Sequence, residues 1–216
     1  MSTQKFNSKI RCVIYDCDGV LFDSLESQTK FYNDLCSLVG RHFLNEEEIQ
    51  YVYSHTDAEA VHFIFGKEKD LKRRALESLK QIDSRNYISY LKMEPHLLQA
   101  LERLKEKGIL RVINTNRMIS MNDIIEVFKL RPYFNMVVTP LNVKNPKPHP
   151  ESVEKIVEAF KLKKEEIIFV GDSEIDKQTA KSSGVRFVAY KKREIADDFY
   201  IEDHLDLLEM ISDPRD

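Results

Sequence analysis

From Glu94 onward, short apolar runs alternate with stretches in which aliphatic residues return every three or four positions, as strands do when separated by amphipathic helices. Leu97, Leu98, Leu101 and Leu104 fall at helical spacing within 95–107, Gly108 is a natural helix stop, and 109–114 is the next strand. The alternation continues with a helix over 122–130, a strand over 136–139, a helix over 150–160 and a strand over 166–170. A helix over 176–183 follows, stopped by Gly184, then a strand over 185–190 and a closing helix over 203–211 that turns Leu205, Leu208 and Ile211 inward. Upstream, residues 11–15 (Arg-Cys-Val-Ile-Tyr) read as a short strand. Strands separated by helices of this length predict an α/β fold, with a doubly wound, mostly parallel sheet covered on both faces.

Residues 24–92 break the pattern and contain no convincing strand. Phe31, Leu35, Leu38 and Val39 mark one amphipathic helix, Ala60, Phe63, Ile64 and Phe65 a second, and Leu71, Ala75, Leu79 and Ile82 a third. Residues 1–23 and 93–216 are thus expected to form one domain, with 24–92 a small all-helical domain inserted after the first strand. A chain of 216 residues with 42% apolar content can fill such a core.

Charge and cysteine content narrow the function classes. Lys and Arg number 33 against 36 Asp and Glu, so there is no broad basic footprint for nucleic acid. Cys12, Cys17 and Cys36 form no CxxC pair and leave an odd count, which suggests neither a disulfide framework nor a zinc site. No apolar run reaches the roughly 18 residues of a membrane span, and a cytoplasmic protein is expected. The charge run over 67–74 reads as a solvated helix face.

The first strand runs straight into Asp16-Cys17-Asp18-Gly19-Val20. Two carboxylates at a strand end repel each other unless a cation such as Mg²⁺ sits between them, and open α/β sheets bind ligands in the crevice beyond such ends. Alone, the pair reads equally well as ordinary turn residues. Other strand ends carry complementary groups: Thr115 and Asn116 after 109–114, Lys147 in Asn145-Pro146-Lys147-Pro148-His149-Pro150, and Gly171, Asp172, Ser173 and Asp176 after 166–170. In a parallel sheet these ends share one edge. Carboxylates supply a nucleophile and metal ligands, a hydroxyl and backbone amides hold phosphate oxygens, and a lysine neutralises developing charge.

In order, Asp16-Cys17-Asp18-Gly19-Val20, Thr115-Asn116, Lys147-Pro148 and Gly171-Asp172-Ser173-Glu174-Ile175-Asp176 closely resemble the four motifs of the haloacid dehalogenase-like hydrolase superfamily, across the whole chain. The insert resembles the helical cap of its phosphoglycolate phosphatase and β-phosphoglucomutase branch. The resemblance implies a Rossmann-like core, Mg²⁺ as cofactor, a small phosphorylated metabolite as substrate, and a monomer or weak homodimer. It implies that Asp16 is the nucleophile that forms an aspartyl-phosphate. Asp18 is then the general acid and later the base, and its backbone carbonyl also ligates the metal. Asp172 ligates the metal opposite Asp16, while Asp176 binds it directly, through water, or only orients Lys147. Thr115 and Asn116 hold the phosphoryl oxygens, Lys147 offsets charge on them and on Asp16, and Gly171 and Ser173 support the site.

Asp18 argues against the dehalogenase and phosphonate-hydrolase branches, which lack an aspartate there. A phosphosugar mutase and a non-catalytic binding protein on the same fold stand as alternatives to a phosphatase. Ser24 reads equally as an N-cap and as a site residue, and Asp23 as a loop brace. Cys17 reads as a packed thiol, and His55, Thr56, His62 and His149 as capping or surface residues. Hinges are expected at 23–24 and 92–95.

Overall fold

Strand β1 (Cys12–Tyr15) is buried along its whole length and lies at the middle of the sheet. The computed structural model describes residues 6, 8–117 and 120–211. Parallel neighbours flank β1, with β4 (Leu110–Asn114) on one side and β6 (Ile167–Gly171) on the other. Beyond β4 comes β5 (Met136–Val138), and beyond β6 come β7 (Arg186–Tyr190) and β8 (Tyr200–Ile201), all parallel, so the order is β5-β4-β1-β6-β7-β8. The chain winds outward through β4 and β5, then crosses back to start again on the far side of β1. That reversal opens a crevice at the carboxyl ends of β1, β4 and β6.

Side chains of a strand alternate between faces, and both faces of this sheet are covered. Val13 and Tyr15 pack into a layer with α5 (Leu97–Glu106), α6 (Met121–Val127) and α9 (Asp206–Met210), through Leu101, Ile124 and Leu207 among others. Cys12 and Ile14 face α7 (Glu151–Phe160) and α8 (Glu174–Ser183), through Val153, Ile156 and Ala180. The predicted α/β architecture is therefore the observed one.

The chain leaves the core through β2 (Phe22–Asp23) and returns through β3 (Lys92–Met93), which pair antiparallel. Between them stand α1 (Leu25–Leu38), α2 (Glu46–Ser54), α3 (Asp57–Phe65) and α4 (Lys69–Leu79). These helices have their own apolar cluster, with Tyr32, Leu35, Val52, Val61 and Phe65 at its centre. Among the described residues no helix is long and apolar enough to cross a membrane.

Several local expectations are corrected. The pattern marks three helices between 24 and 92, whereas four form. α2 presents only Ile49 and Val52 as aliphatic anchors, and its signal is a capping box in which Asn45 and Glu48 satisfy each other's backbone N–H. β2, β3 and β8 are two residues long, too short to show a period. The closing helix is confined to α9, where Leu207 and Met210 are buried and Leu208 is partly so. Leu38 and Phe63 point outward, at 59% and 37% exposure.

Because the helical cluster is separate from the two that cover the sheet, Leu35→Ala is expected to cost the helical unit about 2–5 kcal/mol while amides of β1, β4 and β6 keep their hydrogen-exchange protection. Simultaneous loss of protection in both parts would mean that they unfold as one.

Candidate active site

Asp16 directly follows β1, and its backbone N–H continues the ladder by donating to the Val170 carbonyl at 3.0 Å. Its carboxylate meets Lys147, whose Nζ lies 2.9 Å from Asp16 Oδ1 and 2.6 Å from Asp176 Oδ1. The contact with Asp176 is a directed hydrogen bond, whereas the one with Asp16 is an ion pair that leaves Oδ1 without a hydrogen-bond donor. Burial works against the Lys147 ammonium, but the two carboxylates overrule it and hold its pKa above the ordinary lysine value.

Asp176 is fully buried, and both of its oxygens are engaged. Oδ1 takes the Lys147 bond, while Oδ2 accepts from the Ser173 hydroxyl at 2.6 Å and the Ser173 N–H at 3.2 Å. Ser173 in turn caps α8 by accepting from the Asp176 N–H, which completes a capping box. Gly171 makes this approach possible, since a Cβ there would overlap the Asp176 side chain.

Asp172 is different. Burial first, then Asp176 and Asp16, push its carboxyl well above the usual range, and no hydrogen bond offsets them among the described residues. The carboxylates of Asp16, Asp172 and Asp176 converge within 4.8 Å of one another. With Lys147 as the ammonium among them, three ionised carboxylates leave an excess of two negative charges. All-oxygen donors with that deficit fit a hard divalent cation held by Asp16 and Asp172, with Asp176 turned toward Lys147.

Asp18 lies beside this cluster and has a partner that the sequence reading did not assign. Arg117 grips it with Nε at 3.0 Å from Oδ2 and Nη2 at 2.5 Å from Oδ1. Burial alone would raise the Asp18 pKa; the Arg117 guanidinium outweighs it, with help from Ser24 and Gln28, and holds the carboxyl below its usual value. Ser24 thus faces Asp18 and makes no side-chain cap on α1. Arg117 follows Thr115-Asn116 directly, and a buried aspartate in need of a counter-ion is the signal that could have found it. Thr115 accepts from the Arg117 N–H at 3.1 Å, and Asn116 donates to the Lys147 carbonyl at 3.2 Å, leaving a buried, unpartnered Oδ1.

Asp16, Asp18, Thr115, Asn116, Arg117 and Lys147 line a cavity of about 60 Å³, which Tyr32, Tyr53 and Asp57 of the helical unit also line. Tyr32 donates to Asp57 Oδ1 at 2.8 Å. Tyr53 reaches the loop at Gly19, where a Cβ would collide with both its hydroxyl and the Asp172 carboxylate. Gly19 also has φ +76°, so glycine answers both demands.

The other flagged residues have structural partners. Thr56 caps α3, His55 stacks on Tyr51, and His62 meets Lys72 at 2.8 Å. His149 accepts from the Glu151 N–H, and Asp23 accepts from the Leu25 N–H. Burial pushes the Cys17 thiol well above its normal pKa, so it packs as an inert thiol.

Comparison with known proteins agrees with the four motifs. The model of the haloacid dehalogenase-like hydrolases matches residues 13–190. A protein of Caldanaerobacter subterraneus subsp. tengcongensis that bears the pyrophosphatase name PpaX is 30% identical, over 94% of this chain and 95% of its own length. Among solved structures, a subfamily IA hydrolase of that superfamily from Geobacter sulfurreducens superposes with TM-score 0.78 at 35% identity, covering 97% of this chain and all of its own. One from Haemophilus somnus, named for phosphoglycolate phosphatase, superposes with TM-score 0.82 at 20% identity, covering 95% and 100%.

Burial and the Asp176 charge raise the Asp16 carboxyl from 3.8 to about 7. A carboxyl shifted upward costs stability as pH climbs through that interval, because the unfolded chain releases its proton first. A cation bound by Asp16 and Asp172 offsets the cost. The stabilisation by Mg²⁺, read as a rise in thermal midpoint, is therefore expected to be small at pH 5 and larger at pH 8, where it corresponds to about 2.7 kcal/mol once free ion is about a hundredfold above Kd. Identical melting curves with Mg²⁺ and with chelator at both pH values would exclude this cation site.

Proposed function

The chain belongs to the haloacid dehalogenase-like hydrolase family and is a phosphatase, and we propose that it is Mg²⁺-dependent and hydrolyses a small phosphorylated metabolite through an aspartyl-phosphate on Asp16. The observation that carries this reading is the convergence of Asp16, Lys147, Asp172 and Asp176 at one sheet edge, with Asp18 alongside.

In the proposed cycle, a carboxylate oxygen of Asp16 attacks phosphorus as the bond to the leaving oxygen breaks, and that oxygen takes a proton from the acid form of Asp18, which the second half of the cycle regenerates. Lys147 is held by Asp16 and Asp176 from the start, so no side chain must reorganise to offset charge on the phosphoryl oxygens. Thr115 and Asn116 line the same cavity and supply polar groups to those oxygens. Bound Mg²⁺ supplies the positive charge that lets a phosphate enter a site already rich in carboxylates. In the second half a water attacks the aspartyl-phosphate, the bond from Asp16 to phosphorus breaks to release phosphate, and the water's proton passes to Asp18, whose ionised form after the first half is favoured by Arg117. Two half-reactions replace one hard displacement.

The domain division proposed is a core of residues 1–23 and 93–216 with a helical cap of 24–92. Tyr32, Tyr53 and Asp57 of the cap line the cavity, and closure of the cap over a substrate would exclude bulk water and strengthen its electrostatics. The β2–β3 pair is its hinge.

Phosphate release from a panel of small esters and anhydrides, including pyrophosphate and sugar phosphates, tests the reading. Turnover is expected with Mg²⁺ and not with chelator, and Asp16→Asn should lower kcat by roughly a thousandfold or more. Retained Mg²⁺-dependent turnover in that variant would refute the aspartyl-phosphate. Isomerisation of a hexose 1-phosphate without phosphate release would replace a phosphatase by a mutase.

A further inference from the structure

A second group of buried polar side chains lies outside the cavity, where the chain passes from the core to the inserted helices and back. His204 is fully buried just ahead of α9, and its Nε2 lies 2.8 Å from the Val20 carbonyl. A carbonyl only accepts, so Nε2 carries the hydrogen. Burial holds the ring neutral, with its pKa down to about 4, and Nδ1 is left buried without a partner among the described residues. The ring stacks on Tyr190 at 4.5 Å between centroids. Tyr190 in turn donates at 2.8 Å to Glu94, whose carboxylate also takes Lys191 and whose N–H donates to the Leu21 carbonyl at 3.0 Å. Val20 and Leu21 lie on the outgoing crossing and Glu94 on the returning one, so a single knot at the end of β7 fastens both.

His204 stands on a braced loop. Asp206 accepts from the N–H groups of Glu202 and Asp203 at 3.0 Å each, while Asp203 accepts from the Leu205 N–H and pairs with His96. The segment that His204 holds is a tight turn: the N–H groups of Leu21 and Phe22 donate to the Cys17 carbonyl, and that of Gly19 to the Phe22 carbonyl. Among the described residues this leaves the Val20 carbonyl to His204. Asp18 sits inside the turn. Packing alone does not account for an imidazole at this place, because an apolar ring would fill it without an unpaired buried nitrogen, which costs stability.

We propose that His204 is a positioning residue for Asp18: its bond to the Val20 carbonyl fixes the turn that presents the Asp18 carboxyl, and keeps it fixed while the cap moves about β2 and β3. The inference rests on the phosphatase reading, in which Asp18 carries the proton, and assigns the group outside the cavity that holds it in register. Proton transfer falls steeply when an acid is displaced from the departing oxygen.

Leaving groups separate this role from general support of the fold. An alkoxide needs a proton as it departs, whereas p-nitrophenolate does not. The readout is kcat/KM for the alkyl phosphate that wild type turns over fastest, divided by kcat/KM for p-nitrophenyl phosphate, so that a loss of folded enzyme cancels. Asp18→Asn sets the scale and is expected to lower this ratio by about a hundredfold or more. His204→Phe, which keeps a ring on Tyr190 and loses the bond, is expected to lower it by about tenfold. His204→Gln, whose amide nitrogen can reach the Val20 carbonyl, is expected to restore most of it. If His204→Phe does not fold, His204→Asn, whose amide is too short to reach, takes its place. An unchanged ratio in the variant that lacks the bond, beside a shift in Asp18→Asn, would overturn the inference and leave the phosphatase reading standing. Equal shifts in His204→Gln and His204→Phe would overturn it as well. An unchanged ratio in Asp18→Asn would remove the proton role of Asp18 and the inference with it, and absence of wild-type phosphate release from every ester would remove the phosphatase reading itself.

Discussion

Concentrating several carboxylates at one buried sheet edge is possible only if each finds compensation, and Lys147 is the centre of that balance. It stands between Asp16 from the end of β1 and Asp176 from the first turn of α8, and it arrives on the segment between β5 and α7. Three remote stretches of chain are thereby fastened at one point. Removing any partner would leave a buried charge exposed to its neighbours, at a cost of about 3–5 kcal/mol. The strand order supplies the place, because β1 and β6 are neighbours although most of the chain lies between them. Gly171 and the Ser173 cap then bring Asp176 close enough to hold the ammonium.

The same constraint explains the second ion pair and the roof. Asp18 pairs instead with Arg117 from the loop after β4, with two bonds that fix its plane. Tyr53 reaches down to the Gly19 loop, and Tyr32 with Asp57 forms the wall opposite Arg117. Low solvent access makes each of these interactions stronger than it would be in water, and it makes an unpaired group there more costly. That is why Asp172, without a neutralising side chain of its own, marks the position that asks for a cation.

Much of this was legible in the sequence for a physical reason. Buried parallel strands are continuous apolar runs, and polar residues at their carboxyl ends stand out against them, as Asp16, Thr115 and Asp172 do. The core architecture followed from the spacing of those runs. What was less legible came from places where periodicity carries little information. α2 has few apolar anchors, and β2, β3 and β8 are too short to show alternation. Tyr32 and Tyr53 sit on helices where an aromatic residue looks like any core contact. Arg117 reads in sequence as one more surface arginine, and only its partner reveals it.

The two cations of the cavity also differ in what holds them. Lys147 is held between two carboxylates of the protein, Asp16 and Asp176. Arg117 is held by one carboxylate and a hydroxyl, and faces a wall built by the inserted helices. Lys147 pairs with carboxylates of the sheet edge, whereas Arg117 lies in the cavity that residues of the inserted helices also line. A site divided in this way can keep its reaction constant while substrate selection changes through residues on the roof side, because altering that side leaves the Asp16–Lys147–Asp176 balance untouched.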